Sequence, residues 1–379
     1  MGERGTSREG SPRMPDRISA SIVMSHGRSN LLGLGRSELE RLAEKHGLPA
    51  YRGRQLYGWL YLKAVTDFDR MHTLPAAWRE ALKRSHVVRW PELVERQCSA
   101  DGTEKLLLEL EDGRRVEAVA IPKPERRTYC ISTQVGCAMG CRFCRTAQMG
   151  LDRNLSVGEI VGQVLVLQSL FGAEPSRKNI VLMGMGEPLA NFDNVARALE
   201  LLSDPEGLGF PPRRVTLSTV GLVPGIEKLA RLERRPKLAV SISATTDAAR
   251  AELMPIDRRY PLAALFATLR RYPLGPRERI TFEYVLLAGI NDSDEDAWRL
   301  VRLLHGIRAK VNLIPFNPAA ELPFEPAPPE RQEAFQRILR SAGVTATIRE
   351  SRGRDILGAC GQLAALKPKQ TAQVQVAAP

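Results

Sequence analysis

Four of the six cysteines in this chain fall within one short stretch: Cys130, Cys137, Cys141 and Cys144, with Cys98 and Cys360 standing apart. The last three of the stretch are spaced C-x3-C-x2-C in QVGCAMGCRFCRTAQMG, and Phe143 directly precedes the third. Thiols grouped in this way, in a chain whose opening residues carry no secretory apolar core, point to metal binding or catalysis rather than to a disulfide framework. Structural zinc sites close on four ligands, usually as paired C-x2-C units, and none of His26, His46, His72, His86 and His305 stands near the loop. Three cysteines on a four-iron cluster would leave one iron open to bind a substrate. A zinc knuckle borrowing a distant ligand and a structural cluster completed by Cys130 are the alternative readings of the same spacing.

Such residues need a scaffold, and the chain divides into regions of different pattern. Residues 1–30 mix charges and breakers and are expected to be a disordered extension. From 31 to 90 the pattern is helical: Ser37 opens one apolar-periodic stretch (Leu39, Leu42, Ala43), and Gln55, Leu56, Trp59 and Leu60 mark another. Residues 91–122 form a short β segment in which Asp112-Gly113, between runs rich in Leu and Val, signals a hairpin. Beyond residue 123, strand-like segments (TYCIST, NIVLM, RVTLST, KLAVSIS, ITFEYVLLA, KVNLIPF) alternate with helical ones. Six such repeats predict an α/β fold with parallel strands covered by helices, either a full or partial barrel or a doubly wound sheet. Ser156 with Glu159 forms a capping box at the first of these helices. Residues 365–379 read as a disordered tail.

Composition narrows the setting. The chain of 379 residues has 55 Lys plus Arg against 43 Asp plus Glu, a net charge of +12, which suits a polyanionic partner. No apolar run approaches the ~20 residues of a membrane-spanning helix, so a cytoplasmic protein without a membrane partner is expected.

The cysteine loop follows the first strand of the repeats, and the second strand ends in GMGEP, where Gly184 and Gly186 let backbone approach a ligand and Glu187 adds a carboxylate. Ser218 ends the third strand, Ser241 to Ser243 the fourth, and Asn317 the sixth. With these placements the chain resembles the radical S-adenosylmethionine superfamily, whose signature is C-x3-C-x-aromatic-C after the first strand of a partial α/β barrel. The resemblance implies a partial (β/α)6 barrel, a [4Fe-4S] cluster on Cys137, Cys141 and Cys144, and S-adenosylmethionine chelated at the open iron. Gly186, Glu187, Ser218, Ser241, Ser243 and Asn317 then stand at cofactor-contacting positions. The cofactors would carry the radical chemistry while the protein orients them.

The motifs GMGEPLAN, LMPI, LIPFNP and ACGQL, in that order with the cysteine loop, resemble more narrowly the RlmN/Cfr family of RNA adenine methyltransferases, over residues 31–364. The likeness implies that Cys360 accepts a methyl group from one S-adenosylmethionine, and that a second molecule per turnover yields the radical that activates it for addition to adenine. By the same likeness Glu117 stands where the general base belongs, and Cys130 where a thiol frees the product by forming a transient disulfide with Cys360. The expected substrates are 23S rRNA in the peptidyl-transferase region and the adenosine 3′ of the anticodon in tRNA, methylated at C2. Methylation at C8, or an RNA-binding protein whose cluster does not turn over, are the competing readings. A monomer served by a flavodoxin or ferredoxin is expected. Two positions depart from the family pattern: Ser243, where a longer polar residue is common, and Arg354, where Asp is usual. Candidate RNA contacts are Tyr51, Arg52, Arg54 and Trp59, with Arg126-Arg127, Arg213-Arg214, Arg258-Arg259 and Arg270-Arg271. Arg349, Arg352 and Arg354 lie near Cys360 in sequence, and Cys98 reads as structural.

Overall fold

A computed structural model describes residues 24–25, 27–172 and 177–365. The tail expected from 365 onward and residues 1–23 of the expected extension lie outside the described residues, Ala365 apart. The last residues of that extension are ordered: Met24–Ser25 and Arg28–Asn30 pair as strands, and His86–Val87 adds to them in parallel.

Three helices form the N-terminal module, Arg36–Lys45, Tyr51–Tyr57 and Ala76–Ser85, the second continuing as a π-helical turn over Gly58–Leu62. Ser37 lies inside the first helix and does not open it. Gly35 is the N-cap, and its N–H donates to Glu38 Oε2 at 2.8 Å. The first two helices cross so closely that a Cβ at Gly53 would come within 2.4 Å of Glu40 Cα. The module is fastened to the helix Phe192–Ser203 through Arg36 with Asp204 and through Glu38 with Arg197, while Tyr57 Oη donates to Asp204 Oδ2 at 2.9 Å.

One ten-stranded sheet runs through the rest of the chain, and its strands lie side by side in chain order: β1 (Glu92–Cys98), β2 (Glu104–Glu109), β3 (Arg115–Lys123), β4 (Arg126–Cys130), β5 (Lys178–Leu182), β6 (Val215–Thr219), β7 (Lys237–Ser241), β8 (Ile280–Leu286), β9 (Ala309–Pro315) and β10 (Thr345–Ile348). Pairing is antiparallel from β1 to β4 and parallel from β4 to β10. The α/β class and helical N-terminal region agree with the sequence reading, with two differences. The β segment leads into the barrel by extending its sheet, with β1 to β3 paired edge to edge with β4, and β3 runs one residue past the boundary expected at 122. A seventh parallel strand, β10, follows the sixth; its four residues TATI are too short and too weakly patterned to be singled out.

Helices cover the parallel strands, among them Val157–Phe171, Leu262–Arg270, Asp294–Leu304 and Pro329–Ser341. The expected capping box is present: Glu159 N–H donates to Ser156 Oγ at 3.2 Å and Ser156 N–H to Glu159 Oε2 at 2.8 Å. At Asp112-Gly113 the strands turn with Gly113 at φ +75° and Leu110 N–H on Arg114 O. Parallel strands aim their C-terminal ends at one face, which is where ligand-binding loops gather in folds of this kind.

Candidate active site

The cysteine loop is framed by a short antiparallel ribbon, Gln134–Gly136 with Leu151–Asn154. Its two ends close on each other: Cys137 N–H donates to Gly150 O at 2.7 Å, and a Cβ at Gly136 (φ +77°) would stand 1.9 Å from that oxygen. Only glycine fits there. Cys137 and Cys141 are buried and Cys144 half-buried. Burial pushes the Cys137 thiol up to about 12 and raises those of Cys141 and Cys144, with Cys144 adding to the rise at both Cys137 and Cys141. Ligation by thiolate must therefore displace protons that burial otherwise holds. Among the described residues, no three His, Cys, Asp or Glu side chains converge on a single ion; three thiols binding three irons of one cluster need not converge. The donor set is sulfur alone, which fits an iron–sulfur cluster.

A cavity opens beside the loop at the C-terminal ends of the strands. Its wall includes eight of the twelve residues singled out from sequence: Cys141, Cys144, Gly186, Glu187, Ser218, Ser241, Asn317 and Cys360. Gly184 and Gly186 press on the first-strand segment, where a Cβ would meet Ser132 Oγ at 2.7 Å and Gln134 Cβ at 2.6 Å respectively. The Glu187 carboxylate, by contrast, is occupied within the protein, its oxygens accepting from Leu189 and Val220 N–H at 3.0 and 2.9 Å. Burial pushes this carboxyl up to about 7, opposed by the Val220 amide.

Four singled-out residues do not line the cavity. Cys137 is buried and is not part of the cavity wall. Ser243 is fully buried at φ +40°, where its hydroxyl accepts from Val285 N–H at 3.2 Å and its carbonyl from Asn291 Nδ2 at 2.7 Å. This placement corrects the expectation of a cofactor contact: the hydroxyl is used in holding the turn after β7. Cys130, at the end of β4, is buried beside the wall, its thiol raised to about 12 by burial and by Cys360, against the opposing pull of Arg349. Glu117, on β3, is buried with both oxygens engaged: Lys105 Nζ is 3.1 Å from Oε1, and Ala364 N–H donates to Oε2 at 2.7 Å.

The segment bearing Cys360 is tied to the residues that directly follow the cluster cysteines. Arg145 N–H donates to Gly361 O, Arg145 Nη1 to Gln362 O and Thr146 Oγ1 to Leu363 O, at 2.8, 3.0 and 2.7 Å. Asn317 Nδ2 donates to Cys360 O at 3.1 Å, leaving its own Oδ1 buried without a partner. Of the three arginines near Cys360, only Arg349 turns inward and lines the cavity; Arg352 pairs with Glu350, and Arg354 is exposed. The thiols of Cys360 and Cys130, with Glu283, hold the Arg349 guanidinium above its usual range. All six cysteines are free, and Cys98 is exposed on the edge strand, not a buried core residue.

Sequence reading passed over Glu283. It stands in a polar layer, Ser241–Glu283–Asn312–Thr347, formed by residues facing one another across β7 to β10. Oε1 accepts from Asn312 Nδ2 at 3.0 Å, while Oε2 is buried without a partner at the cavity wall. A glutamate within the apolar run ITFEYVLL is the signal that could have marked it. The expected RNA contacts also divide. Trp59 is core, its indole N–H on Thr73 Oγ1, and Arg126-Arg127, Arg213-Arg214 and Arg270-Arg271 precede strands or their leading turns and so lie at the face opposite the cavity. A groove of about 750 Å³ lined by residues from 30–34, 89–91, 110–112, 153–159 and 190–197 contains none of the thiols.

The profile of the radical SAM superfamily matches residues 131–303. Fold and cysteine loop together define the class: a radical S-adenosylmethionine enzyme, with the [4Fe-4S] cluster and S-adenosylmethionine that this class uses. The profile of the ribosomal RNA large subunit methyltransferase N-terminal domain matches residues 29–88. The dual-specificity RNA methyltransferase RlmN of Syntrophus aciditrophicus is 47% identical over 340 residues, covering 90% of this chain and 97% of the relative. That of Rhodospirillum rubrum is 48% identical over 90% of this chain and 82% of its own. A radical SAM methyltransferase from Sphaerobacter thermophilus superposes with a TM-score of 0.85 at 45% identity, over 89% of this chain and 99% of that one. The chain belongs to the RlmN family of radical S-adenosylmethionine RNA methyltransferases.

Proposed function

We propose that this enzyme methylates C2 of adenosine in the peptidyl-transferase region of 23S rRNA and of the adenosine 3′ of the anticodon in tRNA, through a methyl group carried on Cys360. When bound, the cluster on Cys137, Cys141 and Cys144 and two S-adenosylmethionine molecules per turnover supply the methyl group and the radical that activates it. A flavodoxin or ferredoxin provides the electron, and the chain acts as a cytoplasmic monomer.

The protein's part begins with the Cys360 thiolate accepting a methyl group while Asn317 holds its carbonyl and Arg349 offers positive charge. After the carbon has joined the ring, the adduct returns its one unpaired electron to the oxidised carrier, Glu117 takes the ring proton, and the C–H electron pair stays with the ring to restore its aromaticity. The Cys130 thiolate then attacks the Cys360 sulfur. A sulfur–sulfur bond forms, the carbon–sulfur bond breaks toward carbon, and that carbon takes up a proton to become methyl; an external dithiol, itself oxidised to a disulfide, returns Cys130 and Cys360 to thiols. Because Ala364 caps Glu117 Oε2, the segment after Cys360 must shift before Glu117 can act. The observation that carries the reading is that Cys360 and Arg349 line one cavity beside the cluster loop, while Cys130, far away in sequence, lies within electrostatic reach of both.

Nucleoside mass spectrometry of 23S rRNA and tRNA from a host lacking its own enzyme tests it. Recovery of 2-methyladenosine only when this chain is expressed is the expected result; 8-methyladenosine, or no new nucleoside, contradicts it.

A further inference from the structure

Lys105 is the one lysine among the buried side chains of the described residues. Its neighbours on β2, Leu106 to Leu108, are core residues, yet its ammonium crosses to the next strand to meet Glu117 at 3.1 Å. In register Lys105 faces Val119 and Glu117 faces Leu107, so the pair is a diagonal one on a shared sheet face. The two side chains are only 10% and 6% exposed. Withdrawing both ions from water costs several kcal/mol each, and apolar residues of similar volume would serve a sheet core equally well. Stability alone is therefore a poor reason for the pair. The second carboxylate oxygen is held by the Ala364 amide, four residues beyond Cys360. Glu117 is thus gripped from two sides, by the antiparallel extension of the sheet and by the segment that carries the methyl-accepting cysteine.

We propose that Lys105 is a positioning residue for the general base: it fixes Oε1, so that Oε2 is the oxygen released from Ala364 to receive the ring proton. The inference rests on the general-base reading of Glu117 given above. In the step it serves, the ring C–H bond breaks, the electron pair stays on the ring and the proton goes to Oε2; Lys105 keeps its own protons throughout. Without the ammonium, Oε1 is left buried without its partner, and the carboxylate is no longer held in the orientation that presents Oε2.

The test uses cluster-loaded holoenzyme with S-adenosylmethionine, reductant and substrate RNA. Methylation of Cys360 is read by peptide mass spectrometry, covalent protein–RNA adduct by denaturing gel, and methyladenosine by nucleoside analysis. For Lys105→Met we expect Cys360 methylation within about twofold of wild type, product formation lower by on the order of 10²-fold as for loss of a general base, and adduct accumulating. Lys105→Arg restores the charge and should recover most of the product. Glu117→Gln run in parallel separates the two readings. If it turns over normally, the general-base reading fails; if it accumulates adduct while Lys105→Met behaves as wild type, the role of Lys105 fails. Loss of Cys360 methylation or of the cluster in both Lys105→Met and Lys105→Gln would make Lys105 a residue of the fold and overturn the proposal.

Discussion

The two halves of the site are built in different ways. The cluster loop is local: three thiols within eight residues of chain, closed by a backbone bond between Cys137 and Gly150 that only glycine at 136 permits. The methyl-transfer half is assembled from distant chain. Glu117 comes from the antiparallel extension, Cys130 from the end of β4 and Cys360 from a segment without regular structure, which Arg145, Thr146 and Asn317 hold by its carbonyls. A local loop can fold and load its cofactor whatever the distant residues do, whereas the transfer half can be broken one step at a time. Because Arg145 and Thr146 directly follow the last cluster cysteine, the two halves are nonetheless anchored to each other.

The largest effect that would sharpen this contrast comes from comparing Cys137→Ala with Cys360→Ala. The first should lose the cluster and with it all cleavage of S-adenosylmethionine. The second should keep iron, sulfide and reductive cleavage while forming no methylated RNA. Iron analysis with 5′-deoxyadenosine detection checks both, and loss of iron in Cys360→Ala would make Cys360 a ligand and erase the division. Next in size, Cys130→Ala should trap RNA on the protein through Cys360, seen as a slow band on a denaturing gel. Free, fully methylated RNA would remove Cys130 from the reaction.

A smaller effect is expected at Arg349. The thiolate is the active form of Cys130, and burial already holds its thiol near 12 while Arg349 opposes that shift. Removing the guanidinium in Arg349→Gln raises the thiol further, so decay of the adduct should need a higher pH than in wild type, and the rate profile should move in the alkaline direction. A profile that stays in place would mean that the arginine serves something other than the thiols. Smallest of all, Ser243→Ala should leave the KM for S-adenosylmethionine within about twofold, because the hydroxyl is engaged by Val285 N–H; loss of that buried bond should cost about 1 kcal/mol of stability. A large rise in KM would return Ser243 to the cofactor.

The same division explains what could be read from the chain alone. The alternation of strands and helices beyond residue 123 and the spacing of Cys137, Cys141 and Cys144 are local patterns, and both are legible without structure. Placement through long-range contact is not. Ser243 and Ser241 are two residues apart at the end of one strand, yet a positive φ turns one away while the other faces the cavity. Trp59 and Arg52 share a helical stretch, but Trp59 is packed inside while Arg52 reaches Thr73 O. The ion pair of Lys105 with Glu117 depends on which diagonal the β2–β3 register selects, and the inward turn of Arg349 depends on the seventh parallel strand, which four residues form. Charged residues inside apolar runs, as in EKLLLE and ITFEYVLL, were the available hints.

The central claim is that the methyl group reaches RNA by way of Cys360. Holoenzyme incubated with S-adenosylmethionine carrying a deuterated methyl group, first without RNA and then with it, tests this most directly by peptide and nucleoside mass spectrometry. The account requires label on the Cys360 peptide before RNA is added and its disappearance, with deuterium retained in methyladenosine, afterwards. Labelled methyladenosine formed while Cys360 never carries label would contradict it.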